Sequence, residues 1–334
     1  MTPRLCLVFP HLGLGGGETV MMDVAERLRG EFDLEILALD GGAPERLLGE
    51  ELAARFGAWT PIRKRWELRP RFRAADAVLW YGVVNAVPDV LAALAAMDER
   101  PASVRVVHTS REEDGPAFQR RWGRVIDATV CVSPTIARTI PGAVFIPNTC
   151  SGETLKGPRL EAFPPGRPTL GWLGRLVPLK NVPWLIENAE AIGCNLLVQA
   201  LDTPLLSVAE LQRRAGSNVK FLPPSRDVGT LLRSVDALIL VSDHEGFPRV
   251  VIEAGMVGTP VIATPVGALP ELFGEEILFV DGPPDAASVR AALERLDPSS
   301  GPRLQEKVVR LCFLETVAAR YAGVIHGALA RAAA

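Results

Sequence analysis

The chain has 334 residues and a net charge of −3, and 48% of its residues are hydrophobic. This length is enough for two domains, and the hydrophobic fraction excludes a globally disordered protein. The small negative charge argues against a dedicated nucleic-acid-binding protein, which usually has a strongly basic domain. The five scattered cysteines lack a Cys-x-x-Cys spacing. They predict reduced, mostly buried thiols of a cytoplasmic protein, rather than a zinc site or a disulfide framework.

The N-terminal residues predict a strand, a glycine-rich turn, a helix and a second strand. An apolar strand over residues 4–9 is followed by Gly15, Gly16 and Gly17 at the turn. Glycines at this place let backbone N–H groups approach a phosphate closely. Glu18 occupies the position of the third glycine in the dinucleotide-binding fingerprint, so the fingerprint fails.

Two clusters of basic residues each contain a tryptophan. The first spans residues 63–73 around Trp66, and the second lies at residues 120–124 beside Trp122. Such clusters suit a phosphorylated acceptor or an anionic membrane surface. Solvated surface charge is the more ordinary interpretation, because acidic residues lie nearby in the sequence. We therefore expect at most a weak peripheral membrane contact through residues 63–73.

A predicted strand over residues 103–107 ends at His108. Ligands of open α/β sheets bind outside the carboxyl ends of the strands. We therefore predict that His108 contacts a ligand rather than serving only the core. A Gly- and Pro-rich stretch without periodicity follows the last strand of this half, and residues 151–168 are predicted to be an interdomain linker.

The second half begins with a predicted strand over residues 169–175, which leads into a loop carrying Arg175 and Lys180. A helix over residues 182–192 follows. The last helix of the chain is predicted to run without interruption over about residues 304–333.

The stretch from Ser242 to Ala263 predicts a loop, a helix and a strand. Phe247, Pro248 and Arg249 are predicted to open the helix, with Pro248 in its first turn, where its missing N–H costs nothing.

Two carboxylates bracket the start of this helix, Glu245 in the loop and Glu253 on the second turn. A helix N-terminus suits a phosphate, whereas carboxylates accept hydrogen bonds from hydroxyl groups. An anion flanked by polyols is the chemistry of a nucleotide-sugar.

This stretch resembles the Glu-x7-Glu signature of retaining, nucleotide-sugar-dependent glycosyltransferases of family 4, which have the GT-B fold. Spacing and context agree together: Ser242-x-x-Glu245-Gly-Phe-Pro, Glu253-Ala, Gly-x-Pro-Val-Ile-Ala and Gly267-Ala-Leu-Pro-Glu. Arg175 and Lys180 resemble the Gly-Arg-x4-Lys motif of the same family. One departure is Gln199-Ala-Leu-Asp, which stands where the family often has glycines.

The resemblance implies two Rossmann-like α/β domains that face a central cleft. The acceptor-side domain would cover residues 1–150 and the linker residues 151–168. The donor-side domain would cover residues 169–310, and a C-terminal helix over residues 311–334 would cross back to the N-terminal domain.

The resemblance also implies the roles of the site residues. Arg175 and Lys180 would bind the donor diphosphate, Glu253 the ribose hydroxyls, and Glu245 and His108 the transferred sugar. The predicted catalytic residues are His108, Arg175, Lys180 and Glu245. The predicted donor-binding residues are Gly15, Gly16, Gly17, Arg175, Lys180, Glu245, Gly246, Phe247, Pro248, Arg249, Val250 and Glu253.

The function implied is transfer of a hexose, with retention, from a nucleotide-diphosphate donor to an acceptor hydroxyl. The donor is expected to be a UDP-sugar, and neither a metal nor another cofactor is expected. The acceptor is a carbohydrate, a lipid-linked glycan or a small molecule, and the protein is expected in the cytoplasm or at the inner face of the membrane. Two alternatives stay open: a non-catalytic, sugar-nucleotide-binding GT-B relative, and an NAD-linked oxidoreductase that uses the first glycine turn.

Overall fold

The computed structural model describes residues 1–11, 15–39, 47–82, 87–109, 116–281 and 285–333. The chain forms two compact units. Unit 1 consists of Met1–Thr149 and Leu314–Ala334, and unit 2 consists of Cys150–Phe313.

Within the described residues, unit 1 has a seven-stranded sheet in the order β3-β2-β1-β4-β5-β6-β7. All of its neighbouring strands are parallel. Uninterrupted apolar runs such as the one in β4 are typical of parallel strands that are buried on both faces. The strands are β1 (Arg4–Phe9), β2 (Asp33–Leu39), β3 (Thr60–Ile62), β4 (Ala77–Tyr81), β5 (Ala102–Val107), β6 (Ala128–Cys131) and β7 (Val144–Phe145).

The helices of unit 1 alternate with these strands, as the right-handed crossovers of a parallel sheet require. They are α1 (Gly16–Leu28), α2 (Leu47–Phe56), α3 (Leu68–Arg73), α4 (Val87–Ala95), α5 (Pro116–Trp122) and α6 (Pro134–Thr139). Trp80 and Phe72 are fully buried in the core of this unit.

An ion network joins α1 and α2 inside unit 1. Arg55 contacts Asp23 Oδ1 through Nη1 and Glu51 Oε1 through Nε, both at 2.6 Å. Glu26 Oε2 lies 3.7 Å from the same Nη1. Asp23 is fully buried and Glu51 is nearly so. The Arg55 guanidinium therefore lies close to three carboxylates, two of which are buried.

Unit 2 has a six-stranded parallel sheet in the order β10-β9-β8-β11-β12-β13. Its core is lined by Trp172, Leu185, Leu196 and Ile239. The strands are β8 (Thr169–Arg175), β9 (Asn195–Leu201), β10 (Val219–Leu222), β11 (Ala237–Leu240), β12 (Val261–Ala263) and β13 (Leu278–Phe279).

The helices of unit 2 surround this sheet. They are α7 (Val182–Ile192), α8 (Val208–Arg214), α9 (Gly229–Arg233), α10 (Arg249–Met256), α11 (Leu269–Phe273), α12 (Ala286–Glu294) and α13 (Ser300–Cys312). Residues 151–168, predicted to be a linker, fall within unit 2. The Leu160 N–H donates to Ser234 Oγ at 2.7 Å, and Lys220 Nζ donates to the Ala162 carbonyl at 2.6 Å.

The prediction of one uninterrupted C-terminal helix is wrong. Helix α13 ends at Cys312, and a separate helix α14 spans Leu314–Ala332. Phe313 between them is extended, with φ −61° and ψ 125°. Helix α13 packs on α10 of unit 2, whereas α14 packs on α1 and β5 of unit 1. Neither proline nor glycine marks the break, so packing here overrides a local sequence that favours helix.

Candidate functional site

The candidate site of unit 2 lies where the strand order reverses. Strands β8 and β11 are neighbours at the centre of the sheet, and the chain continues outward from them in opposite directions. Ligands of open α/β sheets bind in the crevice at this switch point, outside the carboxyl ends of the strands. Arg175 ends β8, Lys180 follows in the next turn, and Glu245 lies in the loop after β11.

The structure brings Lys180 and Glu245 together. Lys180 Nζ lies 2.7 Å from Glu245 Oε1, and the two side chains are 17% and 16% exposed. The Ser242 hydroxyl donates to the same carboxylate oxygen at 3.0 Å. Because the pair is partly shielded from water, its attraction is stronger than that of a surface ion pair. Sequence reasoning predicted both charged residues but neither their contact nor the role of Ser242.

Asn181 fixes the loop that carries Lys180. It has φ 51° and is the one non-glycine residue with positive φ among the described residues. Asparagine is one of the few residues that tolerate this left-handed conformation. Its side-chain amide donates to the Val241 carbonyl at 3.0 Å and to Asp243 Oδ1 at 2.6 Å. Asn181 therefore ties the loop after β8 to the loop after β11, and sequence reasoning missed it.

Gly267 supports the loop of Glu245 from behind. Its φ is +58°, and a Cβ at this position would lie 2.1 Å from the Gly246 carbonyl oxygen and 2.6 Å from that of Glu245. The next residue, Ala268, donates its N–H to the Gly246 carbonyl at 2.8 Å. Both conformation and space therefore require glycine here.

Helix α10 begins at Arg249, later than the predicted opening by Phe247, Pro248 and Arg249. Pro248 is the N-cap with φ −66° and ψ 118°, and no side chain caps the helix. The prediction that Pro248 lies in the first turn is wrong, because its ψ is still extended. A helix start without a side-chain cap leaves N–H groups such as those of Arg249 and Val250 for other acceptors, and the helix dipole favours an anion.

Glu253 and Arg249 form a buried pair. Arg249 Nε lies 3.2 Å from Glu253 Oε1, and each side chain is 8% exposed. Sequence reasoning named both as donor-binding residues but did not expect this contact. The buried Phe247 ring packs on Phe273, with 5.9 Å between ring centroids, so this side chain belongs to the core.

Arg175 differs from the other charged residues of this site. Its side chain is half-buried. Within the described residues, its guanidinium has no carboxylate at ion-pair distance, whereas Lys180 has Glu245. Lys180 and Arg175 thus place one paired and one unpaired cation on neighbouring segments at the switch point.

The glycines of unit 1 form the first turn of a helix. Gly15 is the N-cap of α1, and Gly16 and Gly17 are its first two residues. A Cβ at Gly17 would lie 3.7 Å from the nearest atoms of the His108 ring, an ordinary contact distance. Neither helical conformation nor this contact requires glycine at position 17. Glycine at position 17 would instead let a ligand approach the N-terminus of α1 closely.

His108 follows β5 and packs edge-on against Tyr81, with 5.4 Å between ring centroids. Burial lowers the pKa of His108 to about 4, so its imidazole is neutral near pH 7. Its Nε2 is buried and has no hydrogen-bond partner within the described residues. A neutral imidazole both donates and accepts hydrogen bonds, which suits a hydroxyl group better than a phosphate.

The basic cluster at residues 63–73 lies on the surface of unit 1. Trp66 is 66% exposed, and the Lys64 ammonium lies 6.0 Å from the centroid of its ring. Arg71 Nη1 forms an ion pair with Glu35 Oε1 at 2.8 Å. The exposed cations of the cluster are Arg63, Lys64, Arg65, Arg69, Arg71 and Arg73. No helix in the described part of the chain is long and apolar enough to cross a membrane.

Part of the chain is similar to a known family of enzymes. Residues 167–297 match the family model Glycosyl transferases group 1. The chain is 46% identical over 74 residues to Vi polysaccharide biosynthesis protein VipC/TviE of Salmonella typhi. This alignment covers 21% of this chain and 13% of that protein. The chain is also 29% identical over 224 residues to D-inositol 3-phosphate glycosyltransferase of Salinispora arenicola. This alignment covers 60% of this chain and 48% of that protein. The chain spans less than half of the length of these relatives.

Solved structures match over nearly the whole chain. A glycosyltransferase from Rickettsia africae ESF-5 has a TM-score of 0.77 and 14% identity, covering 98% of this chain and 99% of that one. Anabaena Alr3699/HepE in complex with UDP-glucose has a TM-score of 0.78 and 15% identity, and the match covers 97% of this chain and 99% of that one. The two parallel sheets and these neighbours show that the chain has the GT-B fold.

Proposed function

We propose that this protein transfers a sugar from a nucleoside diphosphate donor to a hydroxyl group of an acceptor. One observation carries the proposal: Lys180 and Glu245 meet at 2.7 Å at the switch point of unit 2, beside Arg175. Cations and a carboxylate together match a diphosphate that is attached to a polyol. The group 1 glycosyl transferase domain supports the same activity.

Each charged group has a separate task in this proposal. Arg175 and Lys180 bind the diphosphate, and the uncapped start of α10 adds partial positive charge. Glu253 accepts hydrogen bonds from the ribose hydroxyls, while Arg249 pairs with its carboxylate. Glu245 and the backbone N–H groups of Gly246 and Phe247 orient the transferred sugar. We propose UDP as the nucleotide, which the neighbour bound to UDP-glucose supports.

The reaction follows from where charge develops. As the bond between the anomeric carbon and the phosphate oxygen breaks, the diphosphate gains negative charge, which Arg175 and Lys180 stabilise. The acceptor oxygen forms its bond on the same face of the sugar, and its proton passes to the departing phosphate oxygen. We propose that the anomeric configuration is therefore retained, as in family 4, and that a hexose is transferred. The two protein cations make a metal unnecessary for this step.

Nucleotide binding to the purified protein tests the proposal. We expect UDP, and not NADH, to bind in calorimetry, and at least one UDP-sugar to be hydrolysed slowly in the absence of acceptor. Glu253→Ala should weaken UDP binding by about tenfold or more, because a charged hydrogen-bond partner is lost. Glu190→Ala is the control, since Glu190 pairs with Arg167 on the surface of the same unit.

Other results would point to the alternatives. Binding of NADH without UDP would favour the oxidoreductase. Binding of UDP-sugars with no hydrolysis or transfer would favour the non-catalytic relative. Normal UDP binding by Glu253→Ala would remove Glu253 from the donor site.

We further propose that the protein works in the cytoplasm and touches the inner face of the membrane through residues 63–73. Each exposed cation near an anionic surface contributes about 1 kcal/mol, and Trp66 suits the interface. The protein should sediment with vesicles containing phosphatidylglycerol, and not with pure phosphatidylcholine. Arg69→Gln with Trp66→Ala should weaken this binding, whereas Arg303→Gln on unit 2 should leave it unchanged. Equal sedimentation with both kinds of vesicle would refute the contact.

A further inference from the structure

A pocket of about 350 Å³ lies in unit 1 at the amino ends of β6 and β7, and helix α14 forms its other wall. His108 follows the carboxyl end of β5, so this pocket is at the opposite edge of the sheet. Small-molecule sites usually have volumes of about 300–1,000 Å³. We call it the amino-edge pocket, and its lining includes Asp127, Gly142, Val144, Gly323, Gly327 and Arg331.

Two arginines tie α14 to the strands beside the pocket. Arg331 Nη2 donates to the Asp127 carbonyl at 3.1 Å, at the start of β6. Arg320, about three turns earlier on the helix, donates to the Phe145 carbonyl of β7. Because α14 is held at both places, the space between them is not a loose fit of the whole helix.

Gly323 and Gly327 leave this space open. They lie one turn apart within α14, and both line the pocket. A Cβ at Gly323 would meet no atom within 4 Å, and a Cβ at Gly327 would lie 3.5 Å from Arg331 Nη1, an ordinary contact. Neither glycine has positive φ. Glycine within a helix is less stable than alanine, yet here neither conformation nor crowding requires it. The pocket therefore exists because the helix lacks two side chains that the fold would admit.

Arg331 gives the amino-edge pocket a positive charge. A guanidinium has five N–H donors, and one of those of Arg331 is bound to the Asp127 carbonyl. The Asp127 carboxylate is itself neutralised, because it accepts from Arg100 Nη1 at 2.6 Å, from Arg100 Nη2 at 2.9 Å and from the Ser103 N–H at 2.7 Å. Arg100 thus offsets the one carboxylate that lines the pocket, and Arg331 can bind an added anion.

The remaining lining of the pocket is weakly polar. Ala128, Val144 and Val324 lie beside the two helix glycines. Such walls suit a compact ring, whereas the planar fork of a guanidinium matches the paired oxygens of a phosphate or a carboxylate.

We propose that the amino-edge pocket binds a small molecule that carries an oxyanion on a compact, weakly polar ring. The oxyanion pairs with Arg331, and the ring fills the space beside Gly323 and Gly327. The ligand links α14 to the amino ends of β6 and β7. It binds whether or not unit 2 takes a nucleotide-sugar.

Hydrogen exchange of the whole protein, followed by mass spectrometry, tests the proposal. The probes are phenyl phosphate, benzoate, benzyl alcohol and inorganic phosphate. We expect phenyl phosphate or benzoate to slow exchange over residues 142–146 and 320–332. Benzyl alcohol has the ring without the charge and inorganic phosphate has the charge without the ring, so each should bind at least about tenfold more weakly. The stronger of the two charged probes identifies the oxyanion that the pocket prefers.

Variants separate the charge of the pocket from its volume. Arg331→Gln should weaken binding of the charged probes by about tenfold. Arg29→Gln is the matched control, because Arg29 is an exposed arginine of the same unit that lies over the Phe56 ring. Gly323→Leu should fill the pocket and weaken binding by at least about tenfold. Its control is Ala319→Leu, which adds the same side chain at an exposed position of α14 outside the lining. Urea unfolding without ligand should show that both leucine variants are folded.

The place of the protection distinguishes this site from the proposed donor site. UDP should slow exchange in unit 2, around residues 175–181 and 245–253, so a missing UDP response concerns the proposed function alone. The amino-edge site is overturned if neither charged probe slows exchange in α14, or if benzyl alcohol or inorganic phosphate is equally effective. It is also overturned if Arg331→Gln binds the charged probes as tightly as its control. Unchanged binding by a folded Gly323→Leu variant would equally refute it.

Discussion

Replacing Lys180 with alanine is expected to lower the rate of sugar transfer by about 10²- to 10³-fold, the usual cost of removing one group that stabilises transition-state charge. Lys180 lies at the switch point of unit 2, and its ammonium is held 2.7 Å from Glu245 in a partly shielded place. The Lys180→Ala variant lacks the ammonium group that offsets the charge of the departing diphosphate. It also leaves Glu245 without its cation, so the carboxylate repels the donor.

This effect would be measured as kcat and KM for UDP-sugar hydrolysis, and for transfer once an acceptor is known. Lys156→Ala is the matched control, because Lys156 is an exposed lysine of the same unit that pairs with Glu153. Glu245→Gln separates the two consequences, since it keeps the cation and removes the negative charge. If Lys180→Ala retained the activity of the Lys156→Ala control, Lys180 would have no part in the chemistry.

Replacing Arg55 with methionine is expected to destabilise unit 1 by about 3–5 kcal/mol, the usual cost of leaving a buried charge without its partner. Arg55 reaches the buried Asp23 and Glu51 at 2.6 Å each. Methionine keeps much of the volume of the arginine side chain. The loss of unfolding free energy is therefore caused by the unpaired charges rather than by a cavity.

The comparison should use urea unfolding followed by circular dichroism, with hydrogen exchange to locate the change in unit 1. Arg27→Met is the matched control, because Arg27 meets Glu315 at 3.3 Å on the surface of the same unit. An exposed pair contributes about 0–1 kcal/mol. Equal urea midpoints for the two variants would mean that the Arg55 network is as hydrated as the surface pair.

Much of the architecture could be predicted because parallel strands that are buried on both faces appear as short apolar runs. The predicted strand over residues 4–9 and the helix over residues 182–192 agree with β1 and α7. The resemblance to family 4 implied two Rossmann-like α/β domains, and the two parallel sheets confirm the α/β class. Charged residues that follow strands were also predictable, since their place in a βα unit determines the edge of the sheet at which they lie.

Contacts between distant segments were beyond sequence reasoning. The ion pair of Lys180 with Glu245 joins loops that are 65 residues apart. The left-handed conformation of Asn181 depends on the partners of its side chain, which lie 60 and 62 residues away. The break at Phe313 arises because α13 and α14 pack on different units, and no local signal marks it. In unit 1, Glu18 and Tyr81 are in contact although they are 63 residues apart, and sequence reasoning treated Glu18 only as a defect in a glycine fingerprint.

Gly267 affects how mutational surveys of this protein should be interpreted. Its Cα lies behind the Glu245 loop, where even a methyl group would meet two carbonyl oxygens. Side chains of every size should therefore be rejected there, including those that resemble glycine in polarity. A saturation screen would score the position as strictly as a reacting group, although its role is to leave room for the main chain. Intolerance of substitutions at Gly267 thus measures how little the Glu245 loop can be displaced. Variants designed to change the donor preference would need substitutions elsewhere on that loop.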